Sequence, residues 1–339
     1  MHLTELQIFS YQLPLKRPLP FSGGTLTQRK GFLIRLTDAD GCEGWGEVAP
    51  LPGFSPETLT DALRDLRRLS LKMAQFRDTF WFVNWPASVR FGVEWALLEV
   101  QAQAQKRSLF ARETVPLNAL LIGQPAEIRA QAEQTLAKDY RAAKLKVGHR
   151  PVAEDLRIIW DVCAILGENC ALRLDANRAW SHAEADFIAR NLPPNAIAYV
   201  EEPLQNPTEL PAFQSAHPHL PIALDESLRE PIGKKLLQQS FLPAALILKP
   251  TLDPQSVFTY ASLGIPNVLS SSVESGLGTR ALIAMATVLS SPETAIGLDT
   301  YNWLAEDVLQ SRLALDAPVA DCTSMKTVDL NMDRLTPVT

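Results

Sequence analysis

Eight short apolar runs recur along most of this 339-residue chain, and their spacing limits what it can fold into. The runs begin at Pro116 (PLNALLIG), Ala142 (AAKLKVG), Ala171 (ALRLDAN), Ile197 (IAYVEEP), Pro221 (PIALDES), Ala244 (AALILKP), Pro266 (PNVLSSSVES) and Ala295 (AIGLDT). The step from one start to the next ranges from 22 residues (Ala244 to Pro266) to 29 (Ala142 to Ala171). Segments of helical spacing lie between most of them, such as AEIRAQAEQTLAKDY and VAEDLRIIWDVCAILG. A strand plus its return helix needs about this length, and eight such units make a (β/α)8-type barrel. The open doubly wound sheet is the competing arrangement. It expects a glycine-rich dinucleotide turn after its first strand, and none follows here.

Residues 1–112 have a different texture. LTELQIFSYQLPL and KGFLIRLTDADGCEGWGEVAP read as strands, with DADG as a hairpin turn. PETLTDALRDLRRLSLKMAQF has helical spacing, with Leu59, Leu63 and Leu66 on one face, and a second helix is expected over 88–105. Strands followed by helices predict an α+β domain. The expected boundaries are 1–112 for this domain, 113–315 for the barrel and 316–339 for a tail. The tail contains TVDLNMD, a further candidate strand, and is expected to return to the first domain.

Composition excludes several functions. The net charge of −6 argues against nucleic acid or an anionic membrane as partner. No apolar run approaches the length of a membrane span. The start, MHLTELQIFSYQLPL, lacks a basic stretch leading into an apolar core, and the four cysteines form no C-x-x-C pair. A cytoplasmic enzyme acting on a small molecule, as a monomer, is the expectation.

The polar residues collect at the ends of the runs, where barrel enzymes place their active sites. The second run carries Lys144 and Lys146, the third Asp175 and Asn177, the fourth Glu201 and Glu202. The fifth ends in Asp225 and Glu226, the sixth in Lys249, the seventh in Ser270, Ser271, Ser272 and Glu274. A single carboxylate after a strand is commonly a helix cap. Acidic residues at three consecutive strand ends face one another, so they must take up protons or bind a cation. Oxygen donors without His or Cys favour Mg²⁺ over zinc. The second and sixth strands are opposite in an eight-stranded ring, which puts an ammonium on either side of a molecule held between them. A lysine beside other cations is expected to have a lowered pKa and so to serve as a base. That layout suits removal of a proton α to a carboxylate, with a metal stabilising the enediolate.

The ordered set K-L-K, L-D-A-N, V-E-E-P, L-D-E-S and I-L-K-P resembles the enolase superfamily, in particular its muconate-lactonizing-type members. Further stretches carry the likeness across the chain: GWGEVAPLPGFSPET, SVRFGVEWAL, RLDANRAW, LSSSVESGLG and GLDT. The resemblance implies a modified, (β/α)7β-like barrel, with a capping domain that the tail completes. It implies Mg²⁺, replaceable by Mn²⁺, on Asp175, Glu201 and Asp225. Strand periodicity alone leaves Glu201 and Glu202 open. Lys146 would remove the α-proton and then protonate a departing hydroxide, Lys144 would tune it, and Lys249 would face the intermediate as a cation. Ser270, Ser271 and the backbone at Gly297 would receive a distal carboxylate, with Arg173 and Asn177 beside the metal or substrate. The loops Phe21–Thr25 and Leu51–Ser55 would close over the site. The implied reaction is dehydration of a succinyl-hydroxycyclohexadiene carboxylate to its aromatic product, in menaquinone or phylloquinone biosynthesis. N-acylamino-acid racemisation or dipeptide epimerisation on the same scaffold is the alternative, and a non-catalytic binding protein is the rival of another class. A pure binder gains nothing from a base.

Overall fold

The computed structural model describes residues 2–21, 24–72, 85–193, 195–238 and 241–338. The first part of the chain forms β1 (Leu3–Phe21), β2 (Gly24–Asp38), β3 (Glu43–Val48), α1 (Leu59–Lys72) and α2 (Ala87–Ala104). The three strands are antiparallel neighbours. The β2–β3 turn is the DADG hairpin: Asp38 Oδ1 accepts from the N–H groups of Asp40 and Cys42, and Gly41 supplies a φ of +80°.

Strand alternation gives this sheet two buried faces. Leu6, Ile8, Ile34 and Leu36 pack against α1 and α2 through Leu66, Leu69, Val89, Val93 and Val100. Leu59 and Leu63 lie partly buried against the same cluster. Residues 73–76 of the segment read as helical lie outside the described residues. On the opposite face, Phe9, Tyr11, Leu13 and Leu33 join the main core of the barrel. The approach of α2 to β3 is very close. A Cβ added at Gly46 would sit 1.9 Å from the carbonyl oxygen of Gly92, so backbone packs on backbone there.

The barrel is introduced by β4 (Thr114–Pro116), and its strands are β5 (Ala119–Leu121), β6 (Ala142–Lys146), β7 (Ala171–Asp175), β8 (Ile197–Glu201), β9 (Ile222–Leu224), β10 (Ala245–Leu248) and β11 (Asn267–Leu269). β5 to β11 form one parallel sheet in sequential order. The eighth run closes the ring through the bridges Leu117–Ile296 and Ser270–Gly297. Its N–H groups at Ile296 and Gly297 donate to Pro116 and Leu269. Helices α3 (Pro125–Ala137), α4 (Val152–Leu166), α5 (His182–Asn191), α6 (Leu210–Ala216), α7 (Pro231–Gln238), α8 (Pro254–Tyr260) and α9 (Gly276–Leu289) follow β5 to β11 in turn. Where an eighth helix would follow the eighth run, the chain makes a 3₁₀ turn, Asp299–Trp303, which is the (β/α)7β arrangement.

The tail behaves differently from its reading. TVDLNMD, residues 327–333, is not a strand. Its backbone is engaged by Val308 and Gln310, through Asn331 N–H to Val308 and Gln310 N–H to Asp329. The strands are instead β12 (Val319–Asp321), paired with β4, and β13 (Thr336–Pro337), paired with Ser10 and Phe9 of β1. β13 thereby completes the capping sheet. Among the described residues, no helix is long and apolar enough to cross a membrane.

Gly46→Ala should cost about 3 kcal/mol or more, since neither backbone can retreat. Chemical denaturation would check this, and an unchanged midpoint would mean that α2 shifts freely.

Candidate active site

Residue parity divides each barrel strand between two environments. Leu145, Leu174, Val200, Leu246 and Leu248 point outward into the core under the helices. Alternate positions face the lumen, where Tyr199, Ala223, Ala245, Ile247 and Val268 form an apolar floor. Above it the register sets Lys146 beside Asp175, and Asp175 beside Glu201. One step lower, Lys144 lies beside Arg173, and Arg173 beside Tyr199.

These side chains form one ionic network. Lys144 Nζ lies 2.9 Å from Asp175 and 3.5 Å from Glu201. Lys146 Nζ donates to Asp175 Oδ2 at 2.6 Å and to Asn177 Oδ1 at 2.7 Å. Asn177 in turn donates to Glu226 at 2.9 Å. On the other side Lys249 bonds Asp225 directly, and Arg229 donates to the second oxygen of Asp225 at 2.8 Å. Asp175, Glu201 and Asp225 are all essentially inaccessible to solvent. Lys146 has the most open side chain of the three lysines, 21% exposed against 12% for Lys144 and 17% for Lys249.

The two adjacent glutamates separate. Glu201 faces the lumen, whereas Glu202 accepts from the N–H groups of Asp225 and Ser227, from the Ser227 hydroxyl and from Arg178. Glu202 holds the β9 turn together.

Electrostatics explains the protonation pattern. Burial would raise the Asp175 carboxyl, but Lys144 and Lys146 outweigh it and hold the group well below the usual carboxylate range. Burial is likewise overcome at Asp225 by Lys249 and Arg229. Glu201 goes the other way: burial and then the charge on Asp175 push it well above its ordinary value, against Lys144. With no metal in the lumen, Lys144 and Lys249 are raised rather than lowered. Burial depresses Lys144 and Lys249, yet the carboxylates at Asp175 and Glu201, and at Asp225 and Glu226, prevail and raise both. Neighbouring cations matter less here than neighbouring anions.

Among the described residues, no three carboxylate, imidazole or thiol groups converge as a ready-made metal cage, because each carboxylate faces an ammonium or guanidinium. The donor set still suits a hard cation. It is oxygen-only, and the partners of Glu201 stand at 3.5 Å, leaving its oxygens weakly satisfied.

The remaining residues named from sequence lie nearby. Arg173 donates to the Ala295 carbonyl at 2.7 Å and to Asn118 at 3.2 Å, and stacks over Tyr199. Ser271 Oγ lies 2.6 Å from Thr300 Oγ1, and its N–H donates to the Gly297 carbonyl. A Cβ at Gly297 would meet Asn118 and Ser270 at 3.3 and 3.4 Å, so glycine keeps this corner open. Leu51–Ser55 is an ordered turn with Phe54 half exposed at its tip. Ser22 and Gly23 of the other loop lie outside the described residues.

Sequence reasoning missed Glu47, Arg29 and Asp299. Glu47 of β3, buried, accepts from Tyr11, from Ser275 N–H and hydroxyl, and from Gly278 N–H, and so caps α9 from the other domain. Nothing in GWGEVAP announces that partner. Asp299 was legible as an acid at the eighth strand end. It is partly exposed as a residue, but its Oδ2 is buried and no donor among the described residues reaches it.

Strand order, capping sheet and strand-end chemistry together define an enolase-superfamily enzyme fold. A superfamily member from Roseovarius nubinhibens, complexed with magnesium, superposes with a TM-score of 0.81 over 99% of this chain and 98% of that one, at 19% identity. The L-Ala-D/L-Glu epimerase from Bacillus subtilis gives 0.78 over 97% and 98%, at 21% identity. Residues 3–100 match the family MenC, N-terminal domain, and residues 127–240 match Enolase C-terminal domain-like. An o-succinylbenzoate synthase from Aliivibrio fischeri (strain MJ11) is 32% identical over 332 residues, which cover 95% of this chain and 98% of that protein. The chain belongs to the o-succinylbenzoate synthase family.

Asp299 yields a pH prediction. Burial, opposed by Lys144 and reinforced by Asp316, raises its carboxyl to about 7. The unfolded value is about 4. A raised acid favours the fold at low pH, and that contribution is lost as pH climbs through 7. Asp299→Asn should therefore gain stability relative to the parent between pH 4 and pH 8, in thermal melts without added metal. A constant difference across that range would contradict the assignment.

Proposed function

We propose that Lys146, Lys249, Asp175, Glu201 and Asp225 carry the family's reaction: dehydration of 2-succinyl-6-hydroxy-2,4-cyclohexadiene-1-carboxylate to o-succinylbenzoate, for menaquinone biosynthesis. The observation that supports this reading most is the pairing of each opposed lysine with a buried carboxylate, Lys146 with Asp175 and Lys249 with Asp225. Such pairs hold the two lysine nitrogens in fixed positions on either side of the lumen.

Asp175, Glu201 and Asp225 are the proposed Mg²⁺ ligands. Mg²⁺, when bound, supplies the positive charge that stabilises an enediolate. Lys146 Nζ acts as the uncharged amine: its lone pair takes the α-proton, and the resulting ammonium gives that proton to the hydroxide that leaves. Its bonds to Asp175 and Asn177 aim the nitrogen. Lys144 fixes the charge on Asp175 from below. Lys249 remains an ammonium and faces the intermediate, which its raised pKa supports. Arg173 and Asn118 line the lumen wall. Ser270, Ser271 and the Gly297 backbone receive the succinyl carboxylate. The chemistry is consistent with a cytoplasmic protein, as are four free cysteines. Mn²⁺ is expected to substitute for Mg²⁺.

Proton removal and hydroxide loss on one face need one proton-transfer lysine, whereas racemisation needs an acid and a base on opposite faces. Lys146→Ala should lower dehydration by about 10³-fold or more. Lys249→Arg keeps a cation with altered geometry and should retain measurable dehydration while losing any racemisation. The assay incubates the variants in D₂O with the diene and, separately, with N-acylamino acids of each hand. Rapid racemisation by the parent with no aromatisation of the diene would establish the racemase reading instead.

A further inference from the structure

The capping domain reaches the barrel through a buried cation whose bonds among the described residues all go to backbone carbonyls. Arg29 of β2 is 1% exposed. Its Nε donates to the Val273 carbonyl at 2.9 Å, and its Nη1 to the Pro50 carbonyl at 2.7 Å and the Lys30 carbonyl at 3.2 Å. Its Nη2 donates to the Ala49 carbonyl. Burying a guanidinium is costly unless its donors are used, and here they are spread over two domains. Pro50 and Ala49 lead into the Leu51–Ser55 turn, while Val273 follows the seventh strand.

Val273 is the unusual residue. It is β-branched, 2% exposed, and held at a φ of +62°, a conformation that costs energy for any residue with a branched Cβ. Such strain persists only where the surroundings over-determine the backbone. Both its peptide groups are held: Arg29 bonds the carbonyl, and the N–H donates to Thr300 Oγ1 at 3.1 Å. The same Thr300 oxygen lies 2.6 Å from Ser271 Oγ, and Ser271 is anchored to Gly297 by its N–H and hydroxyl. A continuous run of contacts therefore joins Arg29 to the two hydroxyls at the seventh and eighth strand ends. The Lys146 side of the barrel is not part of it.

We propose that Arg29 is a positioning residue that couples docking of the capping domain to recognition of the substrate's distal carboxylate, by holding the strained Val273 peptide and, through Thr300, the Ser271 hydroxyl. The inference rests on the reading that Ser270 and Ser271 receive the succinyl carboxylate. A lysine at position 29 keeps the charge but cannot span carbonyls on both domains, and a methionine removes the donors altogether.

The test uses Arg29→Lys and Arg29→Met in the full chain with Mg²⁺, so that failure of the methionine variant to fold leaves the lysine variant to decide. KM should rise about tenfold, equivalent to about 1.4 kcal/mol, while kcat changes little. Calorimetry should show the dissociation constant of o-succinylbenzoate rising by a similar factor and that of benzoate, which lacks the succinyl arm, unchanged. A merely structural residue would weaken both ligands alike or move only the melting temperature, and either result overturns the proposal. Ser271→Ala run in parallel separates the two layers of the argument. If it discriminates between the ligands and the Arg29 variants do not, the coupling through Arg29 is wrong. If Ser271→Ala itself shows no discrimination, the carboxylate site is misassigned and the inference falls with it.

Discussion

Three carboxylates are buried at neighbouring strand ends, and the rest of the structure has to accommodate them. Closing a parallel barrel puts Asp175, Glu201 and Asp225 on one lumen with no solvent to separate their charges. Lone buried anions are far too costly to survive folding. The fold answers with Lys144, Lys146, Lys249 and Arg229, each bonded to one or two of those carboxylates. The compensation is uneven. Asp175 and Asp225 are held ionised by close cations, while Glu201, with contacts only at 3.5 Å, is pushed toward its protonated form. A cation entering the lumen has most to gain at Glu201.

The capping domain is bound to this barrel by polar groups as much as by apolar ones. One face of its sheet packs on its own helices and the other on the barrel core. At the joint, Glu47 takes the free N–H groups at the start of α9, where negative charge is favoured by the helix dipole. Arg29 takes carbonyls from both sides. Buried ion-to-backbone contacts tolerate little displacement, and they tie Pro50, just before the Leu51–Ser55 turn, to Val273 after the seventh strand. The short β13 adds a further tie by pairing with β1.

Much of this was legible in the sequence, for identifiable reasons. A strand-plus-helix repeat is set by local geometry, so eight apolar runs at a narrow spacing disclose a barrel, and polar residues at their ends disclose its working face. The hairpin at DADG was legible because Asp and Gly have specific turn roles. Whether Glu201 or Glu202 faces the lumen depends on strand parity at its last residue, which only the register resolves. TVDLNMD looked like a strand because alternation does not say whether a partner edge is available, and Val308 and Gln310 supply only an isolated bridge. Sequence shows that cations are neighbours without showing that the carboxylates beside Lys144 and Lys249 lie nearer still when the lumen holds no metal. Arg29 and Glu47 were invisible because the groups that tie them to the barrel, Val273 and Ser275, lie 244 and 228 residues away in sequence.

The central claim is that the strand-end network works as a metal-dependent dehydrating site. The most direct measurement follows the diene absorbance of 2-succinyl-6-hydroxy-2,4-cyclohexadiene-1-carboxylate with the purified chain. The account predicts that the absorbance falls with Mg²⁺ present, stops falling on addition of EDTA, and resumes when excess Mg²⁺ is restored. An absorbance that never falls, or that falls equally well in EDTA, would contradict it.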